Sequence, residues 1–259
     1  MSLERTKIET PDGSMATVVA RPENGPSRMN VLLFMDAMGI RDELVDFAVR
    51  FAAAGYTCAL PDLYYRWGEN VGFDASKSYH DLTGEDKDLF YTLVARMRDD
   101  QRVLRDAAAV VEHLAGAQAD RPPRWAAVGY CMGGRFTLRI LAAMPELFRA
   151  GVSAYGTALV TDKPDSPHRD IGRITGEMYL AFGGDDDLTP PETIDAVRRE
   201  FEAHDIAHEI ETLAGCGHAF MMSSNPATYR HAAAEEVWRK GFELLDRVQE
   251  RENLVAAKA

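Results

Sequence analysis

Strands that alternate with helices along the sequence predict an α/β fold, a mainly parallel sheet with helices on both faces. Three observations carry that expectation. Residues 31–35, VLLFM, are an unbroken apolar run of the kind that strands buried on both faces give. Amphipathic helical spacing recurs between such runs, over 42–54, 101–114 and 191–203. Residues 124–143 join a strand-like run to a helix-like run through the glycine-flanked turn Gly129-Tyr130-Cys131-Met132-Gly133-Gly134.

In chain order, residues 7–10 and 15–20 flank Pro11-Asp12-Gly13-Ser14 and read as a hairpin. The 31–35 strand leads to the helix over 42–54, which Gly55 caps. Residues 56–60 form the next strand, stopped by Pro61. The segment 64–100 is long and aromatic, with Tyr64, Tyr65, Trp67, Phe73, Tyr79, Phe90 and Tyr91. It reads as a lid or pocket wall, or as an ordinary insertion with its own apolar cluster. Helix 101–114 closes near Gly116, and strand 124–128 feeds the turn and helix 135–143. Strands follow at 150–155, 177–182 and 208–213, with helix 191–203 carrying Pro191 at its start. A long terminal helix spans 226–248, and 253–259 read as a frayed tail. One domain over 1–259 is expected, with no internal repeat.

Composition narrows the class. No apolar run approaches the roughly 20 residues of a membrane span, and the polar start of the chain lacks a signal-peptide core. Three widely spaced cysteines do not make a disulfide framework, so a reducing cytoplasm is the simplest compartment. A net charge of −12 argues against nucleic acid or an anionic membrane as partner and favours solubility. Neither a Gly-x-Gly-x-x-Gly after the early strand nor a Walker motif is present, so no organic cofactor is implied.

The strand, tight turn and helix around Cys131 make a nucleophile elbow with Cys in place of the usual Ser. Glycines beside the nucleophile make room for a strained backbone, and the helix that follows aims amide N–H groups at the reacting atom. The bland alternative is a buried structural Cys. Asp185-Asp186-Asp187 follow Gly183-Gly184 at a strand's C-terminal end, where open α/β sheets form their sites. Helix capping explains Asp187 without any catalytic role. His218 lies in the Gly-rich loop Gly215-Cys216-Gly217-His218 after the last strand. A thiol needs a base to become thiolate, and a carboxylate orients that base. Cys131, Cys216 and His218 fit no standard zinc spacing, so no metal is expected.

Together, Gly129-Tyr130-Cys131-Met132-Gly133-Gly134, Gly183-Gly184-Asp185-Asp186 and Gly217-His218-Ala219-Phe220 resemble the dienelactone hydrolase family of α/β-hydrolases. So do Phe34-Met35-Asp36-Ala37-Met38-Gly39, Gly55-Tyr56 and Pro61-Asp62-Leu63-Tyr64. The resemblance implies a Cys131-His218-Asp186 triad that cleaves a small ester or lactone, with Asp185 the neighbouring choice for the acid. It implies an oxyanion hole from the backbone N–H groups of Met132 and Ala37. It also implies a thiol-regulating carboxylate at Asp36, where the family has a longer Glu. Read without the family, Asp36 is a turn or cap residue.

The family's dienelactone enzymes hold a substrate carboxylate with arginines. One belongs four positions after the His, where this chain has Met222. The other falls in the segment after Pro61-Asp62-Leu63-Tyr64, with Arg66, Arg96, Arg98 and Arg102 as candidates. Met221, Met222 and Tyr64 are the further substrate-wall candidates, although plain packing explains both methionines equally. A neutral or bulkier ester or lactone is therefore expected over a small anionic lactone. The alternatives are a thioesterase or general carboxylesterase with the same triad, and a non-catalytic ligand-binding or thiol-sensing protein on the same fold. The oligomeric state, monomer or dimer, is left open.

Overall fold

The computed structural model describes residues 1–23, 28–115 and 124–257. Its strands are β1 (Ser2–Thr10), β2 (Gly13–Arg21), β3 (Asn30–Phe34), β4 (Thr57–Pro61), β5 (Trp125–Tyr130), β6 (Phe148–Ala154), β7 (Glu177–Gly183) and β8 (His208–Leu213). They form one sheet in the order β1-β2-β4-β3-β5-β6-β7-β8. The β1–β2 hairpin is antiparallel, as is β2 against β4, and every later pair is parallel. The crossover elements include helices α1 (Asp42–Ala53), α2 (Gly84–Arg96), α3 (Asp100–Ala115), α4 (Met132–Ala143) and α5 (Pro191–Ala203), and α6 (His231–Ala256) follows β8. This is the expected α/β-hydrolase arrangement.

The period of two along β6 shows how the faces are covered. A Cβ on Gly151 would meet Leu141 of α4, whereas Val152 lies against Gly241 of α6. On the α6 face, α1 joins through rings: Phe47 and Phe51 lie 5.1 and 5.2 Å from Trp238, and Phe51 lies 5.4 Å from Phe242. On the opposite face, α3 is tied to α4 by charge. Asp100 at the start of α3 accepts from Arg135 Nε and Nη2 at 2.8 and 2.7 Å and from Arg139 Nε at 2.5 Å. All three side chains are buried, and the triad survives burial because nearly every polar atom has a partner. It anchors the nucleophile helix to the end of the 64–100 segment.

Several boundaries differ from those expected. The exposed side chains of the first residues of β1 hid that edge strand, which begins at Ser2. Pro61 ends β4 from inside, opposite Thr17, a strand end where its missing N–H costs little. Helix α4 starts at Met132, because Gly133 and Gly134 belong to its first turn and Gly129 and Tyr130 to the strand. The terminal helix starts at His231, after Asn225 organises a turn through bonds from Ala227 N and Tyr229 N. It then continues to Ala256, so the expected tail from 253 is mostly helix. Gly116 and residues 258–259 lie outside the described residues. Helix α2 was not expected: its weak amphipathicity leaves only Phe90 and Leu93 buried. Among the described residues, no helix is long and apolar enough to cross a membrane.

Candidate active site

β5 ends at Tyr130 and α4 begins at Met132, so Cys131 alone makes the turn, at φ 55 and ψ −120. That backbone is unfavourable for any residue with a Cβ. Two glycines permit it. A Cβ on Gly129 would sit 2.1 Å from Gly133 O, and one on Gly133 would sit 2.6 Å from Phe34 O. The second contact seats the turn against the end of β3, which delivers the 36–39 loop to the cavity that Cys131 lines. Cys131 is partly exposed, while Cys58 and Cys216 are buried and all three are free thiols.

The acid and the His come from the ends of neighbouring parallel strands. Gly183, which closes β7, could not carry a Cβ: it would lie 2.4 Å from Cys216 O. The two loops are then zipped by Gly184 N to Leu213 O at 2.8 Å and Asp185 N to Cys216 O at 2.9 Å. Asp186 Oδ2 meets His218 Nδ1 at 2.8 Å, and its Oδ1 accepts from Leu188 N at 2.9 Å. Asp185 and Asp187 are exposed, and no hydrogen bond ties either side chain to His218 among the described residues. Asp187 is no helix cap either: Pro190 holds the N-cap position of α5, without a side-chain hydrogen bond.

Electrostatics tie the three groups together. Burial alone would weaken the charge on His218. The Cys131 thiolate, by charge and hydrogen bond, and Asp186 outweigh it and hold the imidazole up to about 10. Burial likewise opposes the charge on Asp186, and His218 outweighs it, keeping the carboxyl below its ordinary value. His218 and Asp186 are therefore electrostatically coupled, each holding the other's charge.

These residues open on a cavity of about 220 Å³. Cys131, His218, Asp186, Asp36, Ala37 and Met222 line it, so six of the expected residues meet there. Met132, directly after Cys131, is buried at the start of α4 and is not among the lining residues. Three substrate candidates lie elsewhere. Met221 faces the opposite way, into a small apolar gap with Phe51, Tyr130 and Trp238, because successive side chains in the loop diverge. Tyr64 is fully buried and donates from its hydroxyl to Ala37 O at 2.9 Å, bracing the loop after β3. Arg66 is drawn away by the buried Asp106, which it grips at 2.7 Å through both Nη atoms. Arg96, Arg98 and Arg102 are also absent from the lining.

Asp36 stands at the cavity wall, but its oxygens are engaged with Arg41 at 2.9 and 2.8 Å and with Met38 N at 2.9 Å. Arg41 was missed by the sequence reading. A signal was present: a cation at the N-cap of α1, against the helix dipole, implies a local anion. Tyr155 was missed too. It directly follows β6, its φ is 41, and its ring meets that of His218 edge-on at 5.1 Å. The 64–100 segment contributes Lys77, Tyr79, His80 and Phe90 to the lining, and Tyr79 reaches within 6.5 Å of the His218 ring. Among the described residues, no group of three or more His, Cys, Asp or Glu is placed to hold a metal ion.

The dienelactone hydrolase family model matches residues 15–249. A Salmonella typhimurium (strain LT2) protein named "Putative carboxymethylenebutenolidase" is 27% identical, over 93% of this chain and 91% of the relative. A Bradyrhizobium protein named "Probable 2-oxo-3-(5-oxofuran-2-ylidene)propanoate lactonase" is 26% identical, over 92% and 91%. In fold, the chain resembles the crystal structure of a Klebsiella pneumoniae protein named "Putative Dienelactone Hydrolase". The TM-score is 0.80 at 23% identity, covering 95% of this chain and 98% of that one.

Proposed function

The chain belongs to the dienelactone hydrolase family, and from that premise we propose that it hydrolyses a small lactone or ester through Cys131, His218 and Asp186, by way of an acyl-enzyme. The observation that carries this reading is the His218 ring, held at 2.8 Å by Asp186 in a cavity that Cys131 also lines. The family match over residues 15–249 and the printed names of the relatives support a lactone as the substrate class.

On this reading the Cys131 thiolate attacks the carbonyl carbon and the carbonyl oxygen takes the negative charge. Met132 N–H, a first-turn donor with no intrahelical acceptor, and Ala37 N–H hold that oxyanion. Collapse breaks the bond to the ester oxygen, and His218 gives its proton to the leaving alkoxide. In a lactone that oxygen stays tethered to the acyl group. Water then attacks the thioester and loses a proton to His218, the thiolate leaves, and the acid departs. Asp186 keeps the ring aligned and supports its charge throughout. The chain acts as one domain on a small molecule. Its three free thiols suit a reducing compartment such as the cytoplasm.

A panel of lactones, aryl esters and thioesters, run on wild type and Cys131→Ala, tests the proposal. Wild type should show a burst of about one product per active thiol, lost in the variant. Limited alkylation at neutral pH should label Cys131 before Cys58 or Cys216 and silence turnover in parallel. Turnover that persists in Cys131→Ala overturns the reading.

A further inference from the structure

Arg41 is the one guanidinium among the described residues that line the cavity. It is already engaged. Nη1 and Nη2 grip the two oxygens of Asp36 at 2.9 and 2.8 Å, Nη1 also donates to Gly39 O at 3.2 Å, and Nε donates to Glu43 at 3.3 Å. Its remaining edge touches Met222 Sδ at 3.0 Å. The Arg41 and Asp36 side chains are only 14% and 6% exposed. Glu43 is fixed in turn by Ser223 Oγ at 2.8 Å and by Ser224 N and Oγ at 3.0 and 2.7 Å. One cation therefore sits between two anchored carboxylates.

We propose that Asp36 fills, from within the chain, the anion subsite Arg41 would otherwise offer, so that the pair selects esters and lactones whose acyl portion is uncharged. This rests on the hydrolase reading above and names its substrate class. The exchange argument favours closure over displacement. A substrate carboxylate would replace one bidentate partner of Arg41 with another and leave Asp36 buried without its counterion. Asp36 is also tethered to the same loop, at an effective concentration no free ligand matches. The other lining groups able to carry positive charge among the described residues are Lys77, exposed and paired with Asp74 at 3.1 Å, His218, held by Asp186 at 2.8 Å, and His80, whose ring lies 3.9 Å from that of Tyr79. Exposed Asp185 and Asp187 add negative charge at the rim. Met38, Phe90, Leu188 and Met222 offer the apolar wall that an uncharged acyl group needs.

The test is a matched pair of similar shape, 4-nitrophenyl hexanoate and the mono-4-nitrophenyl ester of adipic acid, whose acyl chain ends in a carboxylate. Wild type should show kcat/KM at least about tenfold higher for the hexanoate. Asp36→Asn should raise the adipate-to-hexanoate ratio at least about tenfold by unmasking Arg41. Arg41→Met should leave the wild-type ratio within about threefold. A ratio of two substrates on one preparation is insensitive to the fraction that folds. Preference for the adipate in wild type, lost in Arg41→Met, overturns the proposal and makes Arg41 an open anion anchor. An unchanged ratio in Asp36→Asn overturns it too. Turnover of neither ester by wild type sinks the hydrolase reading and this inference together, whereas hydrolysis with the acid preferred sinks this inference alone.

Discussion

The cavity has two walls of different make. One is the edge of the sheet, where Cys131, Asp186 and His218 each stand just past a strand and are held by backbone contacts too close for a Cβ. The other is the 64–100 segment, two short 3₁₀ turns and α2, held by rings and a few bonds. Phe73 meets Phe90 edge-on at 5.3 Å, Tyr79 stacks on Phe90 at 5.9 Å, and Phe73 N donates to Met38 O at 2.9 Å. Tyr91 and Leu89 of α2 remain 47% and 41% exposed. A wall fixed by backbone cannot adjust without breaking the sheet. A wall fixed by side chains can be reshaped residue by residue. Chemistry should therefore be concentrated in the first and substrate choice in the second.

Breaking the first wall should give the largest effect. Asp186→Asn should lower kcat by about 10³–10⁴-fold, as an amide does in place of a triad acid. Asp185→Asn and the exposed Asp187→Asn should stay within about threefold, because neither touches His218. Steady-state kinetics beside circular dichroism separate lost chemistry from lost fold. If Asp185→Asn is the crippling change, Asp186 has been given the wrong role.

A second effect sharpens the charge coupling within that wall. His218 is raised to about 10 with Cys131 as the leading favourable cause. Cys131→Ala should bring its titration down toward the ordinary 6.5, read by imidazole NMR. The sign for stability follows from a folded value above the unfolded one. The contribution of charged His218 is full below about 6.5 and drains away as pH rises through about 10. A titration unchanged by Cys131→Ala would remove the ion pair from the account.

The same contrast explains what the sequence made legible. Elbow, acid loop and His loop were readable because each is a local pattern, glycines at fixed offsets from one reactive residue. The continuous apolar run of β3 and the periodicity of α1 worked for the same reason. Met222 was placed at the cavity wall, but Met221 was not separable from it, since a loop has no fixed period. Arg66 was misplaced because its partner, Asp106, lies on a different element. Tyr155 enters the cavity through tertiary contacts that no spacing encodes, whereas Arg41 left only the weak signal of a cation at a helix N-cap.

The insertion wall should yield a smaller effect of a different kind. Tyr79→Ala removes an aromatic surface beside His218 without touching its hydrogen bonds. KM for aryl esters should rise about tenfold while kcat stays within about threefold, the pattern of lost uniform binding. A fall in kcat alone would mean that this wall also aligns the base.

The backbone at Cys131 carries a last, smaller consequence, for melting. A φ of 55 with ψ −120 is comfortable only for glycine. Such strain costs about 1–3 kcal/mol, partly offset by the roughly 0.5–1 kcal/mol of extra chain entropy that glycine loses on folding. Cys131→Gly should therefore melt higher than the equally inert Cys131→Ala, by about 2–4 °C for each net kcal/mol. Any side chain at this turn would then hold the backbone where only glycine rests easily, and on the proposed mechanism it is the reaction, and not the fold, that calls for one there.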